Sequence, residues 1–305
     1  MGQVIWVTGG AGFIGSAVAQ RFIRDGWTCV TIDRRPAAGA NHVSGEVSAA
    51  TLQQALAVAG PPTLIFHGAG TASVGRANAD PTAAVIDTVE SARVVLSFLA
   101  RKSRRTRFIT PSSAAVYGNI GDAPLTEEAW PRPVSLYGRL KHEVEDLCRR
   151  ARMDGIPTTA IRFFSIYGPG LKKQLPWELG VKLAGDDAAV TLFGTGDETR
   201  DFLNIDDAVE LIVKVGAAAA PPIVVNGGSG TSVTIRAFAQ AMARAFGRDV
   251  AFNFNGVTRP DDPAHYRADI HRAAALGWKP NVSLGSGLAQ YAKWVREETR
   301  GAGQS

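Results

Sequence analysis

An α/β fold is what this sequence predicts: a doubly wound parallel sheet followed by a smaller mixed α/β lobe. Three observations carry that expectation. Short apolar runs alternate with longer helical patterns through the first half of the chain. A glycine-rich turn joins the first apolar run to the first helical pattern. The last third changes character, to helices joined by Gly- and Pro-rich connections.

The strand candidates are Val4–Thr8, Cys29–Asp33, Thr63–Gly68, Arg107–Pro111 and Thr158–Phe163. Helical stretches such as Ile14–Arg24 and Ala83–Ala100 lie between them. Strands separated by helices are joined by right-handed crossovers, which makes neighbouring strands parallel. Ile223–Asn226 adds a late strand, and the helices Ile235–Phe246 and Leu288–Thr299 follow. No internal repeat and no low-complexity linker interrupts the 305 residues.

Composition excludes several classes. Apolar residues make up 45% and charged residues 20%, the balance of a globular protein. No apolar run reaches the roughly 18 residues that span a bilayer, so no membrane is expected. The chain opens directly on a strand pattern without a basic leader, and Cys29 and Cys148 lack metal or redox spacing. A cytoplasmic location is the resulting expectation. The net charge is +5, but the basic residues are dispersed. Only the run from Arg101 to Arg107 is dense, and it closes a helical pattern, where cations complement the helix dipole. Nucleic acid is therefore not an expected partner, whereas a mild positive field favours anionic substrates.

The turn reads Gly9-Gly10-Ala11-Gly12-Phe13-Ile14-Gly15, with glycines at Gly9, Gly12 and Gly15. This is G-x-x-G-x-x-G, a variant of the usual dinucleotide fingerprint. Glycine lets backbone approach a pyrophosphate without a Cβ clash, and the helix start supplies N–H donors and positive dipole. Asp33 ends the second strand about twenty residues on, where a carboxylate accepts bonds from the adenosine ribose hydroxyls and repels a 2′-phosphate. NAD is thus favoured over NADP, a preference weakened by Arg34 and Arg35. These features make the first part a Rossmann-type domain. The expected division is residues 1–165 for the NAD-binding domain, with its late strand near 223–227. Residues 166–305 form the smaller, interleaved lobe.

Tyr137-Gly138-Arg139-Leu140-Lys141 is Y-x-x-x-K, which puts both side chains on one helix face. An ammonium near the phenol is expected to lower the tyrosine pKa from about 10 towards working pH, where it serves as general acid and base. Ser113 follows a strand whose C-terminal end faces the cofactor crevice. Alone, Y-x-x-x-K is commonly a surface pair. Combined with the glycine turn, Asp33 and Ser113, it reads as a catalytic trio.

At this point the chain resembles the extended short-chain dehydrogenases/reductases, in particular the NAD-dependent nucleotide-sugar epimerase/dehydratase group (UDP-glucose 4-epimerase-like). Thr8–Gly15 is similar to that group's T-G-G-A-G-F-I-G turn, and Pro111–Gly118 to its active-site strand end. Arg162–Gly170 is similar to R-x-x-N-x-Y-G-P, and Arg200–Asp207 to R-D-F-I-H-V-D-D. Arg259-Pro260-Asp261-Asp262, Ala268-Asp269 and Leu276-Gly277-Trp278 resemble the C-terminal signature. The resemblance covers nearly the whole chain.

It implies the following roles. Tyr137 is the acid/base, Lys141 binds ribose and tunes it, and Ser113 bonds the reacting sugar oxygen. Gly9, Gly12, Phe13, Ile14, Gly15, Asp33, Arg34 and Phe163 belong to the NAD site. Glu46-Val47 lies against adenine, and Ala69-Gly70 touches the cofactor. Arg200 and Arg259 face the substrate diphosphate, and Asp262 orients Arg259 or bonds the nucleotide ribose. The family's Asn is Ser165 here, and the segment Leu171–Pro176, with Lys172, Lys173 and Gln174, can replace its contact with charge. The partner implied is a nucleotide-diphosphate sugar. A homodimer through Ala83–Ala100 and Leu136–Met153 is also implied.

The reaction is narrowed by what is missing. The group's 4,6-dehydratases need an Asp-Glu pair directly after the active-site Ser/Thr, and here those positions are Ala114 and Ala115. Ala115 also counts against sugar-acid decarboxylation. What remains is oxidation at C4, rotation of the 4-keto sugar and reduction from the other face. A reductase or dehydrogenase without epimerisation uses the same trio. A non-catalytic NAD-sensing protein is the reading outside enzymes.

Overall fold

The structure, a computed structural model, describes residues 2–37, 41–119, 121–257 and 264–302. Its first half alternates strand and helix: β1 (Val4–Thr8), α1 (Phe13–Arg24), β2 (Thr28–Asp33), β3 (Asn41–Ser44), α2 (Ala49–Ala59) and β4 (Leu64–His67). Short helices α3 (Val74–Ala79) and α4 (Pro81–Val85) run through a π-helical turn, Ile86–Glu90, into α5 (Ser91–Lys102). Then come β5 (Arg107–Ser113), a 3₁₀ turn at Ala114–Val116, α6 (Leu136–Met153) and β6 (Thr158–Phe163).

The second half holds β7 (Ser165–Tyr167), α7 (Gln174–Ala184), β8 (Ala189–Leu192), β9 (Thr199–Arg200), β10 (Phe202–Asn204) and α8 (Ile205–Ala217). It continues with β11 (Val224–Gly227), β12 (Val233–Thr234), α9 (Ile235–Ala245), β13 (Ala251–Phe254), α10 (His271–Ala274) and α11 (Leu284–Ala302).

Seven strands form one sheet in the order β11-β6-β5-β4-β1-β2-β3, every pair parallel. Strand residues alternate between two cores. Ile5, Val7, Leu64 and Phe66 pack on α1 and α8. Trp6, Val30, Ile32 and Ile65 pack on α2, α5 and α6. The strand order reverses between β1 and β4, so a crevice opens beyond their carboxyl ends, where ligands bind in doubly wound sheets. A third core, with Leu179, Phe202, Phe238, Met242 and Tyr291, lies between α7, α9 and α11. The late strand β11 joins the large sheet, as the apolar run at Ile223–Asn226 predicts.

Two differences from the sequence expectation concern the site. Ala83–Ala100 is not one α-helix, because the π turn interrupts it. The strand before Ser113 does not stop at Pro111 but runs through Ser113, which pairs with Phe163. The short strand β3 was not expected, since only Val43 of its four residues is buried.

Candidate active site

Gly9 takes φ of +69°, and a Cβ there would sit 2.6 Å from the Gly68 carbonyl carbon. The turns after β1 and β4 therefore meet backbone to backbone. Gly12 caps α1 without a side-chain bond, whereas Ser48, Ser135, Asn204 and Thr234 cap α2, α6, α8 and α9 with theirs. The first-turn N–H groups of Phe13, Ile14 and Gly15 have no carbonyl four residues earlier within the helix, and no side chain caps them. An uncapped helix start behind a glycine cradle fits a dinucleotide pyrophosphate.

Asp33 is fixed at the end of β2. Its Oδ2 accepts from the Ala11 N–H at 3.0 Å and its Oδ1 from the Arg35 N–H at 2.9 Å. Arg34 turns away to Glu46 at 3.5 Å and Asp87 at 3.3 Å. Val47 packs against the core above α2. Ala69 and Gly70 follow β4, and Gly70 adopts φ of +147° beside Thr88 of the π turn.

Ser113, Tyr137 and Lys141 come together. Ser113 ends β5 and accepts from the Ala115 N–H at 3.2 Å. The Ser135 hydroxyl caps α6 by accepting from the Gly138 N–H at 3.1 Å. A Cβ on Gly138 would stand 2.5 Å from the Ala115 carbonyl oxygen, so glycine inside the motif lets α6 close on the turn that carries Ser113. Tyr137 is hydrogen-bonded with Ser113. The Lys141 ammonium donates to the Pro111 carbonyl at 3.0 Å and lies 5.7 Å from the Tyr137 ring centroid.

Electrostatics in this pocket are governed by burial. Desolvation pushes the Tyr137 phenol above its ordinary value, with the Ser113 hydrogen bond acting against it. The phenol is thus raised rather than lowered as expected, because the loss of water outweighs the Ser113 hydrogen bond. Burial, helped by the charge of Lys173, brings Lys141 itself down to about 8.

Glu145 was not singled out in the sequence. It lies one helical turn past Lys141, and that spacing was the available signal. The Ser112 hydroxyl donates to its Oε1 at 2.6 Å. Arg162 of β6 grips both oxygens, Nε to Oε1 at 2.8 Å and Nη2 to Oε2 at 2.7 Å. Burial works to raise the Glu145 carboxyl, but bonds from Arg162, His142 and Ser112 bring it down to about 2. The fully buried pair joins α6, β5 and β6 directly beneath the trio. Phe163, next along β6, is buried against Gly227.

Of the residues expected to meet substrate, Ser165 sits in β7, its N–H donating to the Asp201 carbonyl at 2.9 Å. Lys173 donates to the Ala72 carbonyl at 3.1 Å, which brings it across to the segment after Ala69-Gly70. Gln174 begins α7 with φ of +62°, and that helix start also lacks a side-chain cap. Arg200 donates to the carbonyls of Thr199 at 2.8 Å and Ala264 at 3.2 Å and lies over Tyr266. Thr199 and Tyr266 line a cavity of about 320 Å³ with Asp122, Ser232, His265 and Arg267. Arg259 and Asp262 lie outside the described residues.

Residues 5–228 match the family model "NAD dependent epimerase/dehydratase family". The chain is similar to the UDP-glucose 4-epimerase of Mycolicibacterium smegmatis, 30% identical, with 96% of this chain and 99% of that protein covered. It is also similar to the UDP-glucuronic acid 4-epimerase of Bacillus cereus, solved with UDP-glucuronic acid and NAD. There the identity is 25%, coverage is 97% of this chain and 100% of that one, and the TM-score is 0.88. The UDP-glucose 4-epimerase of Thermotoga maritima, solved with UDP-glucose, matches with the same identity, coverage and TM-score. With the glycine cradle, the fixed Asp33 and the closed trio in place on the matching fold, this chain is an NAD-dependent enzyme and belongs to the NAD dependent epimerase/dehydratase family.

Proposed function

We propose that the enzyme is a nucleotide-sugar 4-epimerase whose sugar carries a carboxylate, a UDP-hexuronate. One observation carries the choice of sugar. Lys173 and Arg76 of α3 add positive charge beside Lys141 of the trio. Burial lowers Lys173, and the charge of Arg76 adds to the effect. Among the described residues no carboxylate pairs with any of the three. Three unneutralised cations at the sugar end, beside the uncapped start of α7, favour a substrate with negative charge there as well as in its diphosphate. The Bacillus cereus relative solved with UDP-glucuronic acid supports the same class.

The glycine cradle and Asp33 would hold NAD, which would supply reversible hydride transfer at C4 of the sugar. Tyr137 removes the C4 hydroxyl proton during oxidation and gives it back during reduction. Ser113 holds the same oxygen by hydrogen bonding, and Lys141 holds the nicotinamide ribose and keeps positive charge beside the phenol. Ala114 is buried among Val116, Tyr117 and Leu125. Neither it nor Ala115 moves a proton, so the 4-keto sugar is reduced rather than dehydrated. No net cofactor is consumed.

The test compares UDP-glucuronate, UDP-glucose and a dTDP-6-deoxyhexose as substrates, with C4 inversion followed by NMR. We expect the uronate to be preferred, and Lys173→Ala to abolish that preference while sparing residual UDP-glucose turnover. Equal loss with both UDP sugars would instead assign Lys173 to the diphosphate. Net accumulation of reduced or oxidised cofactor would replace epimerisation by a one-way reductase or dehydrogenase.

We further propose a homodimer formed through the helical stretch around the π turn and α6. Val85, Ile86 and Met153 leave apolar side chains exposed there, and the π turn packs against α6. A cytoplasmic location is in keeping with the absence, among the described residues, of any helix long and apolar enough to cross a membrane.

A further inference from the structure

His67 ends β4 at the sheet's switch point and is 1% exposed. Both of its ring nitrogens are engaged. Nδ1 lies 2.8 Å from the Thr8 hydroxyl, and Nε2 lies 3.2 Å from the Ser91 hydroxyl. The other bonds of these two hydroxyls decide where the protons sit. The Ala69 N–H, which can only donate, points at Thr8 Oγ1 at 3.3 Å. The carbonyl of Asp87, which can only accept, receives the Ser91 hydroxyl at 2.5 Å. A weaker contact from Ser91 reaches the Thr88 carbonyl at 3.4 Å.

With the Ser91 proton spent on Asp87, Nε2 must carry hydrogen and donate. With Thr8 already accepting from Ala69, its own proton is free for Nδ1. The ring is thus neutral with its proton on Nε2. Burial, with the charge of Lys141 in support, agrees by pushing His67 down to about 3. The result is a directed chain: Ala69 N–H to Thr8, Thr8 to His67, His67 to Ser91, Ser91 to the Asp87 carbonyl. A second tie runs beside it, the Thr71 N–H donating to Thr88 Oγ1 at 3.0 Å. Both ties end on the π turn Ile86–Glu90. In a π turn each carbonyl is offset by one residue from α-helical register, a feature that recurs at functional sites. Here it brings the backbone of Asp87 and Thr88 to within 3.7 Å of where a Gly70 side chain would begin.

We propose that His67 is a positioning residue that, through this one-way chain, anchors the Ala69-Gly70 segment to the π turn and so sets its grip on NAD. The proposal rests on the reading that Ala69-Gly70 touches the cofactor. His67 itself touches neither cofactor nor substrate in this scheme. It transmits the rigidity of the π turn to a segment that otherwise hangs from a strand end.

The test uses the full chain with NAD. Protein labelled with ¹⁵N-histidine and ¹⁵N-alanine reports the ring protons and the Ala69 amide. The chain has only five histidines, so His67→Gln assigns the ring signal. We expect one directly bonded proton, on Nε2, at neutral pH. Ser91→Ala should shift the Ala69 amide and raise the NAD dissociation constant roughly threefold to tenfold, the effect of one hydrogen bond. Turnover at saturating NAD should change less than that. His67→Gln, which keeps a donor towards Ser91, should bind NAD more tightly than His67→Phe. A proton on Nδ1, or on both nitrogens, overturns the proposal. So does Ser91→Ala with an unmoved Ala69 amide and NAD affinity within twofold of wild type, whatever its melting temperature. A wild-type Ala69 amide that does not respond to NAD overturns the cofactor reading itself, and the positioning role with it.

Discussion

At Tyr137, burial raises the phenol while the Ser113 hydrogen bond pulls it back. The raised phenol holds its proton, and it would accept the C4 proton only after positive charge beside it, in a site from which water is largely excluded, has favoured the phenolate. Lys141 shares the same dry pocket, and its affinity for a proton falls to about 8. A group poised near neutral pH responds to each charge that enters the site, the substrate's included. If Tyr137 is the proposed acid and base, Tyr137→Phe removes only the proton-carrying oxygen and should reduce turnover by about 10²–10⁴-fold while leaving NAD bound. Stopped turnover assays with a parallel NAD-retention measurement check this. Unchanged turnover would remove Tyr137 from the acid/base role.

At the scale of the element, α6 carries its chemistry in successive turns of one face: Tyr137, Lys141, then Glu145. The first two face the crevice. The third is locked to Arg162 and Ser112 and fixes the register of the helix against β5 and β6. Removing one partner of a buried ion pair leaves an uncompensated charge, which costs about 3–5 kcal/mol. We expect Glu145→Ala to lose stability on that scale in urea unfolding, and to lower turnover because Ser112 adjoins Ser113. Arg162→Met added to it should recover part of the stability. The sign of the pH effect follows from the depressed carboxyl. The folded value of about 2 lies below the ordinary 4.5. The pair's stabilisation is therefore complete above pH 4.5 and lost as pH falls towards 2. An acid titration of wild type against Glu145→Ala should converge over that window, and parallel curves would refute the coupling.

Across the whole molecule, the two halves are interleaved rather than joined end to end. After β10 the chain returns as α8 to the core of the large sheet, where Leu211, Ile212 and Val215 sit with Ile5 and Val7. Two buried acids fasten the return. Asp201 accepts from the N–H groups of Ser229, Gly230 and Ala268, and Asp207 from those of Asn281 and Val282. The second half of the chain therefore contributes β11 and α8 to the large sheet and its core, so the two halves cannot separate as independent units. The proposed dimer face belongs to this scale too. Charge placed at its exposed apolar centre should separate the protomers, so Ile86→Glu is expected to halve the mass seen by light scattering. An unchanged mass would place the contact elsewhere.

How much of this was legible depended on the range of the interactions. The glycine turn, Asp33 and the Y-x-x-x-K helix could be read because each is a local demand: a backbone conformation, a strand end, two side chains one helical turn apart. Ala114 and Ala115 narrowed the reaction in the same local way. The Glu145–Arg162 pair, the tie of Lys173 to Ala72 and the His67 chain could not be read so. Each joins residues from different elements, and only the packed sheet brings those elements within hydrogen-bond range. The raised phenol of Tyr137 was misjudged for the same reason. A neighbouring lysine is visible in sequence, but the loss of water around both groups is not. The sequence by itself determined the fold class, the glycine turn after β1 and the Y-x-x-x-K spacing of the proposed trio, because these follow from local backbone and side-chain chemistry. Tertiary structure alone decided the burial of Tyr137 and Lys141, the approach of Lys173 to Ala72 and the π turn beside Gly70, because burial and long-range contact exist only once the chain has folded.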